Sequence, residues 1–145
     1  MEALYILVRL AGQRVAIRAE HVEAVVDIDA ISPTPLVAPH VAGIAALRSR
    51  VITVIDGVAA LGLGSMDRSG RARAVVVQID GHGYGLMVEG VEDVLSIPGE
   101  IEPSTTNLGP GWQQVATGVL GSGDASVLVV DPERLIEGGR RQKAA

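Results

Sequence analysis

The chain has 145 residues, enough for one compact domain with a sizeable core. It has no cysteine, which excludes disulfides, thiolate nucleophiles and cysteine-bound metals, and its formal charge of −5 argues against a general nucleic-acid binder. Hydrophobic residues make up 48% of the chain without a single Phe, so the core must come from Val, Ile, Leu and Ala, as suits sheets in narrow barrels. No apolar run is long enough to cross a membrane. Arg9 interrupts the N-terminal one, and Glu2 stands where a secretory leader wants positive charge. A soluble, cytosolic protein with no membrane insertion is expected.

In chain order, Tyr5 to Leu10 and Arg14 to Arg18 flank Ala11-Gly12-Gln13 and read as a hairpin. Ala19 to Glu23 suggests a single helical turn before the apolar Ala24-Val25-Val26. Pro33, Pro35 and Pro39 make the stretch from Asp27 to His40 an extended loop. Then comes the most informative unit. Gly43 to Leu47 and Val51 to Ile55 read as two short strands around a basic turn, Arg48-Ser49-Arg50, and Asp56-Gly57 stops the second.

Residues 62–73 have the composition of a surface linker, after which the pattern restarts. Ala74 to Ile79, the turn Asp80-Gly81 and Tyr84 to Val88 repeat the first hairpin. At a constant shift Gly12 falls on Gly81, Glu20 on Glu89, Val22 on Val91, Glu23 on Glu92 and Val25 on Val94. A second proline-bearing loop runs from Pro98 to Gln114. The informative unit then recurs as Ala116 to Leu120 and Ser126 to Asp131, with Gly118 on Gly43 and Asp131 on Asp56. Strand, turn and loop stay in step, the mark of internal duplication. Asp131-Pro132-Glu133 reads as the start of a short C-terminal helix, Gly138-Gly139 as its end, and residues 138–145 as a basic flexible tail.

Each half thus offers about five short strands, whose edges are best protected by closure into a small barrel. The expected fold is mostly β: a single domain over 3–137 made of two five-stranded barrels related by duplication, approximate halves 3–61 and 74–137. Strand exchange between the halves stays open. Side by side, the barrels share an apolar seam and leave a groove, for which Val22, Val25, Val91 and Val94 or their immediate neighbours are the candidate lining. Asp56, Gly118 and Asp131 are read as structural.

A search for chemistry returns no catalytic residue, metal site or cofactor. His21, His40 and His82 lie in turns and loops without zinc spacing, and read as surface histidines. No serine sits in a nucleophile elbow, and Asp27-Ile28-Asp29 lacks the rest of a calcium loop. Gly81-His82-Gly83-Tyr84-Gly85 resembles a phosphate-cradling loop, but the residues after it read as strand, not as the helix such a loop requires. Glu89 and Glu92 read as marks of an exposed turn.

The run Ile31-Ser32-Pro33-Thr34-Pro35, then Pro39, then Gly43 to Asp56, resembles the CheW-like domain family. That family carries a proline-bearing loop, a Gly, an Asn-Leu-Arg-Gly turn and a closing Asp. Val88 to Val94 and Gly118 to Asp131 resemble later stretches of the same family, and the resemblance spans about Ala3 to Ile136. Here Ala46 stands for the usual Asn, Ser49 for the Gly, Thr53 for a Pro, and Gly57-Val58 for Leu-Arg. The resemblance implies two SH3-like barrels and a non-catalytic adaptor. It implies as partners the regulatory domain of a CheA-type histidine kinase and the cytoplasmic tip of methyl-accepting chemoreceptors, in arrays at the inner face of the membrane. It also implies partner contacts at Gly43, Ala46, Leu47, Arg48 and Ser49. The alternatives are an adaptor of a motility or developmental system, and a small-molecule-binding barrel in the inter-barrel groove.

Overall fold

A computed structural model describes residues 2–35, 37–98, 109–120 and 127–137. The turn of the second closing hairpin, most of the second long loop, the helix-ending glycines and the basic tail lie outside them. Strands β1 (Glu2–Leu10), β2 (Gln13–Arg18) and β3 (Val22–Ile28) lead, with a 3-10 turn at Ala19–His21 before β3. Then follow β4 (Val41–Leu47), β5 (Arg50–Asp56), the one-turn helix α1 (Gly57–Ala60), β6 (Ala72–Ile79), β7 (His82–Val88) and β8 (Gly90–Pro98). Helix α2 (Pro110–Val115), β9 (Ala116–Leu120), β10 (Val127–Val130) and α3 (132–137) complete the order.

The strands form two five-stranded sheets, ordered β8-β1-β2-β10-β9 and β3-β6-β7-β5-β4. Each draws on both repeats. The first hairpin, β1–β2, pairs with β8 from the second repeat, and the second hairpin, β6–β7, pairs with β3 from the first. The closing hairpins cross over too: β10 lies parallel to β2, and β5 parallel to β7. The result is a reciprocal exchange, in which each hairpin is completed by its sister repeat. In the second sheet, an isolated bridge between Ser32 and Ile44 brings the chain beyond β3 onto edge strand β4.

Three apolar clusters account for the strand patterns. One face of the second sheet packs Ile28, Ala45, Ile52, Val54 and Val76 together, and one face of the first packs Tyr5, Leu7, Ala16 and Val129. The third cluster is the shared seam, where Ile6, Val8, Val15 and Ile17 meet Ile55, Val75, Val77 and Leu86. Strand β6 explains itself in these terms. Ala74-Val75-Val76-Val77 is apolar without alternation because its residues alternately enter the sheet interior and the seam, and all four are buried. The one Trp, Trp112, sits on α2 against the seam.

Two short helices depart from the sequence reading. Asp56-Gly57 does not simply stop β5; Asp56 caps α1. Pro110 to Gln114, read as the end of a loop, lies in α2, with Pro110 at its start. Helices of one or two turns are too short to show periodicity, so only caps announce them.

Candidate interaction surface

The β4–β5 hairpin is built so that one face is buried and the other presented. Ala45, Ile52 and Val54 face the interior of the second sheet, while Ile44 and Val51 remain 42% and 58% exposed. Ala46 lies opposite Val51 and Ile44 opposite Thr53, so these side chains share the outer face. The strip they form ends at the turn Arg48-Ser49, closed by the Leu47–Arg50 pair. Arg48 takes a left-handed backbone, φ 56°, where a glycine is easier to place. Arg48 and Ser49 are exposed, and Leu47 is half-buried against the sheet interior. Every other described arginine has a carboxylate partner; Arg48 has none among the described residues.

Gly43 is buried at the base of this hairpin. Its φ is 148°, and a Cβ there would lie 2.1 Å from the Ser32 carbonyl oxygen. The missing side chain lets Ser32 exchange backbone hydrogen bonds with Ile44, at 2.8 and 2.9 Å. What demands glycine at this position is therefore the approach of the proline-bearing loop.

The four valines occupy equivalent places on two different sheets. Val22 and Val25 lie on edge strand β3, opposite Val77 and Val75; Val91 and Val94 lie on edge strand β8, opposite Val8 and Ile6. All four partners belong to the seam, so the valines stand on the seam faces at the sheet margins. Val22 and Val91 pack onto the seam, whereas Val25 and Val94 are 38% and 55% exposed. A cleft of about 580 Å³ opens where α3 meets the second sheet, with none of the four valines in its lining, and another of about 550 Å³ has Val91 in its lining, beside Val88, Glu89 and Gly90.

Asp56 and Asp131 end their strands as caps. Asp56 Oδ1 accepts from the Val58 and Ala59 N–H groups at 3.0 Å, and Oδ2 from the Met66 N–H at 2.8 Å and Arg68 Nε at 3.0 Å. Asp131 Oδ1 accepts from the Glu133 N–H at 2.9 Å. Gly118, the counterpart of Gly43, has φ 156° beside a register break in β9–β10, as Gly43 has in β4–β5.

The chemically suggestive motifs resolve into packing. Gly83 and Gly85 on β7 face the sheet interior, where a Cβ at either would come within 3.0 Å of Ile52. Gly81, φ 80°, serves the hairpin turn. His40 corrects the surface reading: it is buried, its Nε2 2.5 Å from the Ile136 carbonyl oxygen of α3. His82 Nε2 lies 2.8 Å from the Thr53 hydroxyl. The Asp67 carboxyl, in the segment read as a linker, is held below the usual carboxylate range by the Ser69 hydroxyl and N–H. Among the described residues no three His, Asp or Glu side chains are grouped to hold a metal. Sequence reasoning missed the cleft, whose Asp80, His82, Tyr84 and Glu133 come from two distant segments.

Two exchanged β-subdomains with a shared apolar seam and presented strand faces have the build of a protein-binding module. The chain belongs to the CheW-like domain family, matching it over residues 4–139. It is 29% identical over 97 residues to a probable chemotaxis protein CheW of Rhizobium etli, a match spanning 66% of this chain and 63% of that protein. It is 25% identical over 114 residues to the chemotaxis protein CheW of Rhizobium meliloti, spanning 78% and 74%. The crystal structure of scaffolding protein TtCheW from Thermoanaerobacter tengcongensis superposes with a TM-score of 0.75 at 26% identity, over 90% of both chains. The family and these chemotaxis relatives support a chemotaxis adaptor role. No helix among the described residues is long and apolar enough to cross a membrane.

Proposed function

We propose that this chain couples the cytoplasmic tips of chemoreceptors to the regulatory domain of a CheA-type histidine kinase, at receptor arrays on the inner face of the membrane. Arg48 carries the reading. It is exposed, without a carboxylate partner among the described residues, and raised on a turn beside the apolar strip of Ile44, Ala46 and Val51. An arginine already ion-paired must give up a partner to bind; this one need not. Its planar fork makes several directed hydrogen bonds at little entropic cost, and apolar flanks exclude water from them. The exposed Val25 and Val94 offer further apolar contacts at the margins of the two sheets. Loss of a central interface arginine typically weakens binding by about 1–2 kcal/mol, on the order of tenfold. Purified Arg48→Ala, titrated against a kinase regulatory domain and a receptor-tip fragment, should show that loss with at least one of them. Unchanged affinity for both would remove Arg48 from the interface.

A further inference from the structure

We propose that the cleft between the second sheet and α3 is a socket for an arginine side chain presented by a partner protein. The inference rests on the adaptor reading only in taking a protein as the source of that side chain. The volume, about 580 Å³, lies in the range of ligand-holding clefts. Ile55, Ile79 and Ile136 contribute apolar surface, and the rings of His82 and Tyr84 stand edge to face with centroids 4.7 Å apart. The Thr53 hydroxyl steadies His82.

Three carboxylates line the cleft, Asp80, Glu133 and Glu137, and the first two decide the charge of the occupant. Most described acids face an arginine, Glu23, Asp27, Asp56 and Glu92 among them. Asp80 and Glu133 have no such partner among the described residues, and both border this cleft, whose lining contains no Lys or Arg. They also border a neighbouring depression of about 330 Å³, so they stand on the ridge between the two. Both are held in place: Asp80 in the left-handed position of the β6–β7 turn, φ 52°, and Glu133 in the first turn of α3. A guanidinium on an aliphatic stem matches this lining. Its fork can meet two separated carboxylates, its plane can stack on a ring, and its stem can cover apolar surface. Thr53 and Val51 lie on the same face of β5, so the cleft continues into the exposed strip that leads to Arg48. That continuity favours a partner protein as the source.

The test is a titration of the isotope-labelled full chain with N-acetyl-argininamide, followed by amide shifts, beside its neutral citrulline isostere. Asp80→Asn/Glu133→Gln is the matched variant, because Asn tolerates the left-handed backbone at 80 and Gln keeps the helix. Saturable shifts at Thr53, His82 and Tyr84 are expected, at least about fivefold weaker for the variant and for the isostere, as for the loss of two exposed ion pairs. No shift at tens of millimolar would overturn the socket, and so would equal response to the isostere. Binding that appears only in a chain ending at Glu137 would also overturn it, since residues 138–145 of the same chain would then be the occupant. None of these readings depends on Arg48, so the adaptor proposal and the socket fail separately.

Discussion

The closing hairpins β4–β5 and β9–β10 are one unit used twice, and their aspartates show how duplicated residues diverge. In both copies the aspartate N–H bonds the carbonyl at the equivalent position, His40 in one and Val115 in the other, at 2.8 and 2.9 Å. In both, Oδ1 caps the helix that follows. There the likeness ends. Asp56 is fully buried, and its second oxygen gathers the Met66 N–H and the Arg68 guanidinium, which itself reaches the Pro39 carbonyl oxygen at 2.9 Å. Asp131 is partly exposed, with Arg134 only at 3.7 Å. The same cap has thus become, in one copy, the anchor that ties the segment joining the repeats onto the fold.

The largest expected effect tests that divergence. Asp56→Ala leaves the Val58, Ala59 and Met66 N–H groups and the partly exposed Arg68 guanidinium without their acceptor, and at about 1–3 kcal/mol for each donor left unsatisfied the loss should reach about 3 kcal/mol or more. Asp131→Ala removes a cap alone and should cost about 1 kcal/mol. Urea melts of both variants measure the gap directly. Equal losses would mean that the Met66 and Arg68 contacts add nothing and that the two aspartates are still equivalent. If Asp131→Ala left stability untouched but abolished partner binding, that residue would belong to an interface.

The paired glycines sharpen the comparison. Both Gly43 and Gly118 sit at strained φ, but at Gly43 the Ser32 carbonyl occupies the space a Cβ needs. Gly43→Ala should cost about 2 kcal/mol or more, above the 1 kcal/mol or so of backbone strain alone. An alanine accepted there without loss would show that the Ser32–Ile44 bridge is dispensable. Arg48→Ala supplies the contrast, since it changes the same hairpin at its exposed end. Its melting should stay within about 0.5 kcal/mol of the unaltered chain, as for an ordinary surface change. A large loss of stability would make Arg48 a structural residue.

Particular residues also show what could be read in advance. The alternation of Ile44 to Val54 and the match of Gly43 with Gly118 are local properties, and they suffice for strands, hairpins and duplication. Strand exchange is not local. Because β3 and β8 are copies of each other, any apolar pattern that fits β8 onto β1 fits β3 as well, and only the assembled chain decides. His40 was misread because burial beside Ile136 depends on a helix 96 residues away. That Arg48, Asp80 and Glu133 have no ion-pair partner among the described residues is likewise a tertiary property, visible only in the folded chain.

The smallest effect concerns Glu23 and Glu92, which hold equivalent positions by different means. Glu92 takes Arg14 Nε at 2.8 Å and Arg9 at 3.6 Å, both from the first hairpin. In the other copy, Gln78 and Gly83 stand where Arg9 and Arg14 would be, and the arginine comes instead from β5. Arg50 bonds Glu23, and Gln78 Nε2 adds a bond of 3.0 Å. A Cβ at Gly83 would lie 3.8 Å from the Arg50 guanidinium carbon, so the guanidinium passes close to the site its predecessor left. The ion pair has been kept while its donor moved to another strand. All these side chains are a third or more exposed, except Glu92 at just under that, so each pair is worth at most about 1 kcal/mol. Glu92→Gln leaves two arginines without a charge partner and Glu23→Gln leaves one, so Glu92→Gln should cost slightly more. Raising the salt should shrink both losses and the difference between them, because exposed pairs are screened. Chemical melts of the two variants at low and high salt measure this. A loss well above 1 kcal/mol that ignores salt would show that the carboxylate is shielded from solvent, as Asp56 is.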